Sequence, residues 1–438
     1  MTSGTGLRNE VSRCTADEFT HRRDDGASDS APSGAQGVYV SNTLLTIDQI
    51  TREALRIAHE KASFLGTIDR QYDESFGKSG SKIGSTLRIR QPSRYTRTQG
   101  TRVINVQEAV ETNTTLTLAT QDHVAMTFNS AEMYTSLDDF SKRHLEPAMA
   151  VLVSGIESDV LQGCSKLVAN LAGTAGTPPV DLSATGAARA KLNQNLAPKD
   201  GNRFIQMDSV TMGGLVNGLK GLFQDSTQIK EQYREGMVGR TAMADFYENE
   251  RVWTMTNGSD VACTLNTYTV VDGDADLTVT SFATPTAGMV FTIAGVYDCH
   301  PETKQAYSHL KQFTVLAAST STNLLISPTI YLTGARKNVS DSAGADVAPS
   351  TTAALVFVGA ASTSYVQNLM YHKDAFTFVT GDLPLMGDAH KCVRKTYDGL
   401  SLRVWQASDI TNDELVTRID MLYGYAALRP EWSCRITS

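Results

Sequence analysis

The chain has 438 residues, 41% of them hydrophobic, enough to bury a large core and to fill two or three domains. Its 39 basic against 47 acidic residues give a net charge of −8, which excludes a protein that grips nucleic acid along its whole surface. Six cysteines (Cys14, Cys164, Cys263, Cys299, Cys392 and Cys434) are scattered without CxxC pairs, the opening MTSGTGLRNEVSRC carries no apolar signal segment, and no apolar run approaches the ~18 to 20 residues of a membrane span; the expectation is a soluble protein of a reducing cytoplasm.

Residues 1–37 mix charges of both signs with Ser, Gly, Asp and Ala and show no periodic apolar face, which predicts a disordered tail. LLTIDQITREALRIAHEKASFL, from Leu44, places Leu45, Ile47, Ile50, Leu55, Ile57 and Ala58 at the spacing of a short amphipathic helix, an arm. Gly77 to Gln107 carries Lys78, Lys82, Arg88, Arg90, Arg94, Arg97 and Arg102 and no acid. Leu87 and Ile89 alternate there with Arg88 and Arg90, which predicts a strand of a long basic hairpin. A lone two-stranded ribbon cannot bury both faces, so this hairpin is expected to project. A second alternating run, TNTTLTLATQDHVAMTF, follows.

The strongest helical pattern spans His144 to Leu171, where Leu145, Met149, Leu152, Ile156, Val160, Cys164, Leu167, Val168 and Leu171 recur at steps of three and four. Pro147 either marks a start near Leu145 or kinks a helix that begins at Leu137; over Leu137 to Leu171 the element would be a beam about 50 Å long. Glu157, Asp159 and Lys166 fall off the apolar stripe, so Ile156→Asp is expected to fail and Glu157→Ala to be mild. Two moderate helices, around Ala188 and Leu215, flank the short strand RFIQM. In GGLVNGLKG, Gly214 and Gly218 fit close packing better than ligand binding. From Trp253 to Val366 only twelve residues are charged, and six or so short β runs alternate with Gly, Asp and Pro turns, the texture of an all-β insert, barrel or sandwich. A helix-containing texture resumes at YVQNLMYHKDAFTF, and the chain closes on the strands GLSLRVWQAS and ELVTRIDMLYGYAALRPEW. The expected class is α+β.

Motifs of chemistry fail on their spacing. Phe76-Gly77-Lys78-Ser79 lacks the first glycine of a phosphate loop, since residue 72 is Tyr, and His59-Glu60 has Ser at 63 where a zinc protease needs its second His. Asp272, Asp274 and Asp276 imitate a calcium loop, but Leu277 replaces the glycine, and Asp-Gly between two β runs reads as a hairpin turn. Cys299-His300 with His309, or His390 with Cys392, lacks a second close ligand pair. No GxSxG elbow exists, and an enzyme is not supported.

The order of arm helix, basic hairpin, long helix, α/β region, β insert and closing strands resembles the major capsid (coat) protein of tailed bacteriophages, in the short-tailed group with an inserted β-barrel domain. The carrying stretches are TRIDMLYGYAALRPEW (Thr417–Trp432), NLMYHKDAFTFVTGDLP (Asn368–Pro384) and GMVFTIAGVYDC within the insert. The resemblance implies a Johnson-type coat fold: N-arm 38–66, extended loop 67–130, peripheral domain with a spine helix 131–172, axial domain 173–252 and 367–398, insert 253–366, closing strands 399–438. It implies a structural protein of the virion, without cofactor or metal, that self-assembles through a procapsid into an icosahedral shell around double-stranded DNA. The implied partners are its own copies in pentamers and hexamers, a scaffolding protein and a portal; the DNA is enclosed without sequence-specific contacts, no membrane is involved, and assembly takes place in the bacterial cytoplasm. Lys78, Lys82, Arg88, Arg90, Arg94, Arg97 and Arg102 become an intersubunit contact, and the spine helix a stiffener of the shell wall. The alternatives are a β-rich cytoplasmic or particle-surface binding protein, and a hydrolase whose catalytic residues assemble from distant positions.

Overall fold

The computed structural model describes residues 47–70, 86–100, 104, 106–108, 110–129, 144–219, 239–346, 349–387, 391–397 and 399–438. The expected tail, the first part of the arm, and Lys78, Lys82 and Arg102 lie outside them. Four α-helices are present among the described residues: α1 (Ile47–Lys61), α2 (Glu146–Lys166), α3 (Leu182–Gln194) and α4 (Ser209–Leu219). None is long and apolar enough to cross a membrane.

The central helix, α2, ends earlier than its sequence pattern suggests. Its α-helical run begins at Glu146 with Pro147 in the first turn, directly after the π-helical His144–Leu145, while residues 137–143, on which a start at Leu137 would fall, lie outside the described residues. It stops at Lys166 instead of Leu171, because Leu167 and Val168 close i→i+3 bonds to Cys164 and Ser165 and the chain leaves as the short strand Leu171–Ala172. Twenty-one residues span about 32 Å. The apolar stripe does face a core: Met149, Leu152, Val153, Ile156, Val160, Leu161 and Cys164 pack with Ile50, Ala54 and Leu55 of α1 and with Phe376, Phe378, Leu402, Ile419 and Tyr423.

Glu157 overturns the expectation placed on it. Off the stripe yet 0% exposed, its carboxylate accepts bonds from Ser63 N–H and Oγ, Phe64 N–H, Asn249 Nδ2 and Arg251 Nη1, at 2.7 to 3.2 Å. Helical periodicity reports which side chains are apolar, not which faces are buried, so a carboxylate that docks a neighbouring turn looks like solvent-facing polarity.

Two sheets build the body. In one, Asp69–Arg70, Phe376–Gly381, Glu414–Ala427, Leu400–Asp409 and Lys391–Tyr397 follow in order, and Thr120–Asn129 also pairs with Glu414–Ala427. That 14-residue strand therefore serves three partners. The other sheet runs Leu171–Ala172, Ser433–Thr437, Ser364–His372, Arg203–Met207, Ala244–Glu248, Arg240–Thr241, with α3 and α4 contributing to its core. Tyr365 to Phe378 is not helical as expected: it is strand, a 3-10 turn (Lys373–Ala375) and strand again. Leu369, Met370, Tyr371 and His372 are all buried, and burial on both faces erases the alternation by which a strand is recognised. Gly218 lies so close to the Val180 carbonyl that a Cβ would overlap it, the close packing expected of this glycine, although against a connecting segment.

Between Ala262 and Phe357 a third sheet has its own core of Phe282, Phe291, Phe313, Leu324, Leu355, Phe357 and neighbours, with Phe282 and Phe357 stacked at 4.6 Å. Its strands follow Ala262–Thr264, Ala354–Phe357, Val290–Cys299, Ala306–Val315, Asn323–Ile330, Asp274–Thr278, and the Leu265–Val279 bridge returns the last to the first. Thr254–Thr256 pairs with Ser364–Val366 at the neck. The seam to the body is polar. Gln312 exchanges two bonds with the Leu171 backbone, Thr314 Oγ1 donates to Lys166 O, and the buried Arg435 donates to Gly288 O at 2.7 Å while lying against Trp253. Burial lowers the Arg435 pKa, and no carboxylate pairs with it among the described residues.

Two predictions follow the buried charges. Ile156→Asp and Glu157→Ala each lower thermal stability by several kcal/mol, the first by burying a bare carboxylate, the second by stranding the donors of Ser63, Phe64, Asn249 and Arg251. Unfolding curves of the two variants within about 1 kcal/mol of wild type would show that neither side chain is buried as described. Excision of Thr254 to Tyr365 with a short linker retains helical circular dichroism but lowers the unfolding midpoint, because the seam bonds of Arg435, Gln312 and Thr314 are lost; in the intact chain Arg435→Met leaves the Gly288 carbonyl without its donor and costs about 1–3 kcal/mol. An intact chain whose midpoint does not respond to Arg435→Met would place the seam energy elsewhere.

Candidate functional site

The basic segment begins as the predicted strand. Thr86–Gln91 pairs antiparallel with Thr112–Thr117, Leu87 opposite Leu116 and Arg88 opposite Thr115. Alternation sends Ile89 and Leu116 to one face, where they are buried against Val379 and Ala426, and leaves Arg88 and Arg90 exposed on the other. The ribbon thus rests on the body through one face at its base; Gln91 Nε2 donates to Leu428 O at 3.1 Å and fixes that seat.

Gln107 braces the ribbon by bonding both N–H and C=O of Thr96. Of the seven predicted cations, four are described. Arg90 lies 3.3 Å from Glu111 and Arg94 3.6 Å from Glu431, both in exposed pairs. Arg97 donates to Gln99, and neither it nor Arg88 meets a carboxylate among the described residues. Exposed pairs of this kind contribute about 0–1 kcal/mol each, so the positive field survives them. The sequence reading missed the apolar character of the same surface: Ile104 is 86% and Val106 85% exposed, and Tyr95 and Val110 are also open to solvent. The alternation in RVINVQ was the available signal.

The rejected motifs have structural uses where they are described. Asp272 Oδ1 accepts the N–H groups of Leu332 and Thr333, and Asp274 Oδ2 accepts those of Val271 N–H and Tyr268 OH, so these carboxylates are engaged in shaping turns. His300 Nδ1 accepts from Glu302 and Thr303 N–H, and Cys299 Sγ points to Lys337 O. Residues 76–79 and His390 lie outside the described residues, as do the side chains of His59 and Glu60. Among the described residues no three His, Cys, Asp or Glu side chains converge. A cleft of about 300 Å³ at the ribbon base is lined by Asp69, Asp374, Arg90, Arg429, Ile89 and Leu428. Burial raises the Asp69 carboxyl; Lys373 opposes the shift and Asp374 adds to it. Carboxylates and guanidiniums share these walls, with no nucleophile beside a base.

The family model of the P22 coat protein (gene protein 5) matches residues 83–434, about four-fifths of the chain. No curated protein matches significantly. Among solved structures the chain is similar to that of Mycobacterium phage Che8, at 12% identity over 86% of this chain and 90% of that one, with a TM-score of 0.46. It is also similar to the capsid of Ralstonia phage GP4 (8% identity, 86% and 91% covered, TM-score 0.44) and to the bacteriophage PhiM1 mature capsid (11% identity, 86% of each chain, TM-score 0.38). The family match over most of its length gives the conclusion: the chain belongs to the P22 coat protein family and is a major capsid protein, a building unit of an icosahedral phage shell.

Proposed function

We propose that the basic ribbon is an intersubunit clamp of the shell, with Lys78, Lys82, Arg88, Arg90, Arg94, Arg97 and Arg102 as its contact residues. The observation that carries this reading is the asymmetry of the ribbon: one face seated by Ile89 and Leu116, the rest presenting arginines and bare aliphatic side chains. In a coat fold of the Johnson type, residues 38–66 act as the N-arm, 67–130 as the extended loop, 131–172 as the peripheral domain with α2 as its spine, 173–252 and 367–398 as the axial domain and 399–438 as the closing strands. Residues 253–366 form an inserted β-barrel that stabilises the subunit; its closed ladder, separate core and narrow neck support that assignment.

The protein works as a structural element and not as an enzyme. Pentamers and hexamers of this chain enclose the DNA without reading its sequence, and a net charge of −8 keeps the subunit from adhering strongly to the packed duplex. Assembly takes place in the bacterial cytoplasm with a scaffolding protein and a portal. Many weak contacts at arms and loops add up over a closed symmetric shell, so no single one need be strong.

Arg88→Glu, Arg90→Glu and Arg94→Glu combined are expected to give folded subunits that do not form shells, while any one change to Ala is nearly silent because each exposed pair is worth about 0–1 kcal/mol. Salt slows the initial association, as the Debye length falls from about 10 Å at 0.1 M to about 3 Å at 1 M. Light scattering on nucleic-acid-free protein across a salt series measures both effects. A triple variant that assembles at the wild-type rate with the wild-type salt response would reduce the ribbon to a solvated loop.

A further inference from the structure

The turn Lys373–Ala375 carries the chain from Ser364–His372 of one body sheet to Phe376–Gly381 of the other, and a histidine closes it. His372 is 0% exposed. Its Nδ1 accepts the Asp374 N–H at 3.2 Å, the capping bond of the turn, and its Nε2 lies 3.0 Å from Asp200 Oδ1. A ring nitrogen that accepts from a backbone N–H carries no proton, so the imidazole is neutral, with its hydrogen on Nε2 donated to Asp200. A second proton has one place to go, Nδ1, and there it removes the acceptor on which the cap depends.

The charged groups around the ring keep it in place through that exchange. Asp200, in the connection that follows α3, has its carboxyl held below the usual carboxylate range, first by the Asn202 N–H and further by His372, so it stays ionised in mild acid and anchors the ring in either state. Asp374 Oδ2 stands 3.8 Å from Nδ1 on a side chain 60% exposed, free to swing in and accept a new N–H. Asp69 is close enough to Lys373 and Asp374 to feel both. Of the remaining cations, Arg203, the ladder partner of His372, turns its guanidinium to the oxygens of Asn193, Ala197 and Pro198. Arg429 lies over Trp432, whose ring meets the imidazole edge-on at 5.6 Å.

The same turn holds the seat of the ribbon. Ala375 O accepts the N–H groups of Leu428 and Arg429, at 2.9 and 3.1 Å, and Leu428 O in turn takes Gln91 Nε2. Asp374 and Asp69 line the cleft beside Ile89 and Arg90. A continuous run of bonds therefore leads from the capped turn to the base of the ribbon.

We propose that His372 is a proton switch for the ribbon seat: a proton on Nδ1 trades the Asp374 N–H cap for a bond to the Asp374 carboxylate, opens the turn Lys373–Ala375 and loosens Leu428 and Gln91. Mild acid frees the base of the ribbon, and neutral pH seats it. The consequence for assembly, a clamp set by pH, rests on the clamp reading of the ribbon; the switch in the turn does not.

Amide hydrogen exchange of the full-length subunit at about pH 7.5 and about pH 5, corrected for intrinsic exchange rates, brackets the interval in which imidazoles ordinarily titrate. Protection is expected to fall roughly tenfold in acid, the effect of losing about one hydrogen bond, at Asp374, Leu428, Arg429 and Thr86–Gln91, with the insert strand Val290–Cys299 unchanged. His372→Asn puts in place of Nδ1 an oxygen that caps without titrating, so this variant stays protected at both pH values. Unchanged wild-type protection overturns the switch, and so does a His372→Asn chain that loses protection in acid as the wild type does. Protection lost at the turn but kept in Thr86–Gln91 overturns the coupling to the ribbon. Should His372→Asn not fold, Asp200→Asn followed through a pH series decides: without the carboxylate the acid transition moves down by about one pH unit, and an unmoved transition excludes His372 as the group. Equal shell yield at both pH values, with the switch seen in exchange, counts against the clamp and leaves the switch standing.

Discussion

The structure depends on a carboxylate in the middle of α2 that has no contact with solvent. Glu157 takes hydrogen bonds from the turn after α1, through Ser63 and Phe64, and from the segment that leads into the neck, through Asn249 and Arg251. Burying such a group costs several kcal/mol unless nearly every lone pair is used, and here the donors come from segments about ninety residues away on either side. The network extends further: Asn249 also donates to Gln206, Gln206 to the Tyr371 hydroxyl, and Tyr371 meets Thr67. Arm turn, helix and both sheets are thereby fixed in one register, which apolar packing, being non-directional, does not specify.

A second buried ion serves the seam in the same way. Arg435 lies in the penultimate stretch of the chain, yet its acceptor is the Gly288 carbonyl and its aromatic neighbour is Trp253. Gly288, at positive φ, has no side chain to collide with that ring. Asp298 adds an electrostatic tie across the same seam. Burial alone would raise its pKa, but Lys311 at 2.8 Å, His309 and Lys191 of α3 together hold it well below the carboxylate range. The β region between Trp253 and Val366 has a core of its own, but its position is set by ions that the rest of the chain supplies.

Inside, then, a few strong and fully desolvated polar contacts give each subunit one geometry. Outside, the ribbon carries individually weak, exposed charges and isolated aliphatic residues. That division suits the clamp proposed for the ribbon: a rigid unit loses little entropy on docking, and weak contacts add up when they are repeated over a closed shell.

Local pattern alone settled much of this. Alternation of Leu87 and Ile89 with Arg88 and Arg90 determined a strand with one cationic face; steps of three and four from Met149 to Cys164 determined the buried stripe of α2; and the uncharged β runs with Asp-Gly turns determined an all-β region. Three matters required the tertiary structure. Tyr365 to Phe378 became strand because both its faces are covered, a condition set by neighbours and invisible in its own periodicity. Glu157 and Arg435 became anchors because donors and acceptors from distant parts of the chain converge on them, and long-range pairing leaves no trace in local spacing. The seat of the ribbon was decided by the strands Phe376–Gly381 and Glu414–Ala427: alternation shows that Leu87 and Ile89 share a face, but only the tertiary structure brings Ile89 and Leu116 onto Val379 and Ala426.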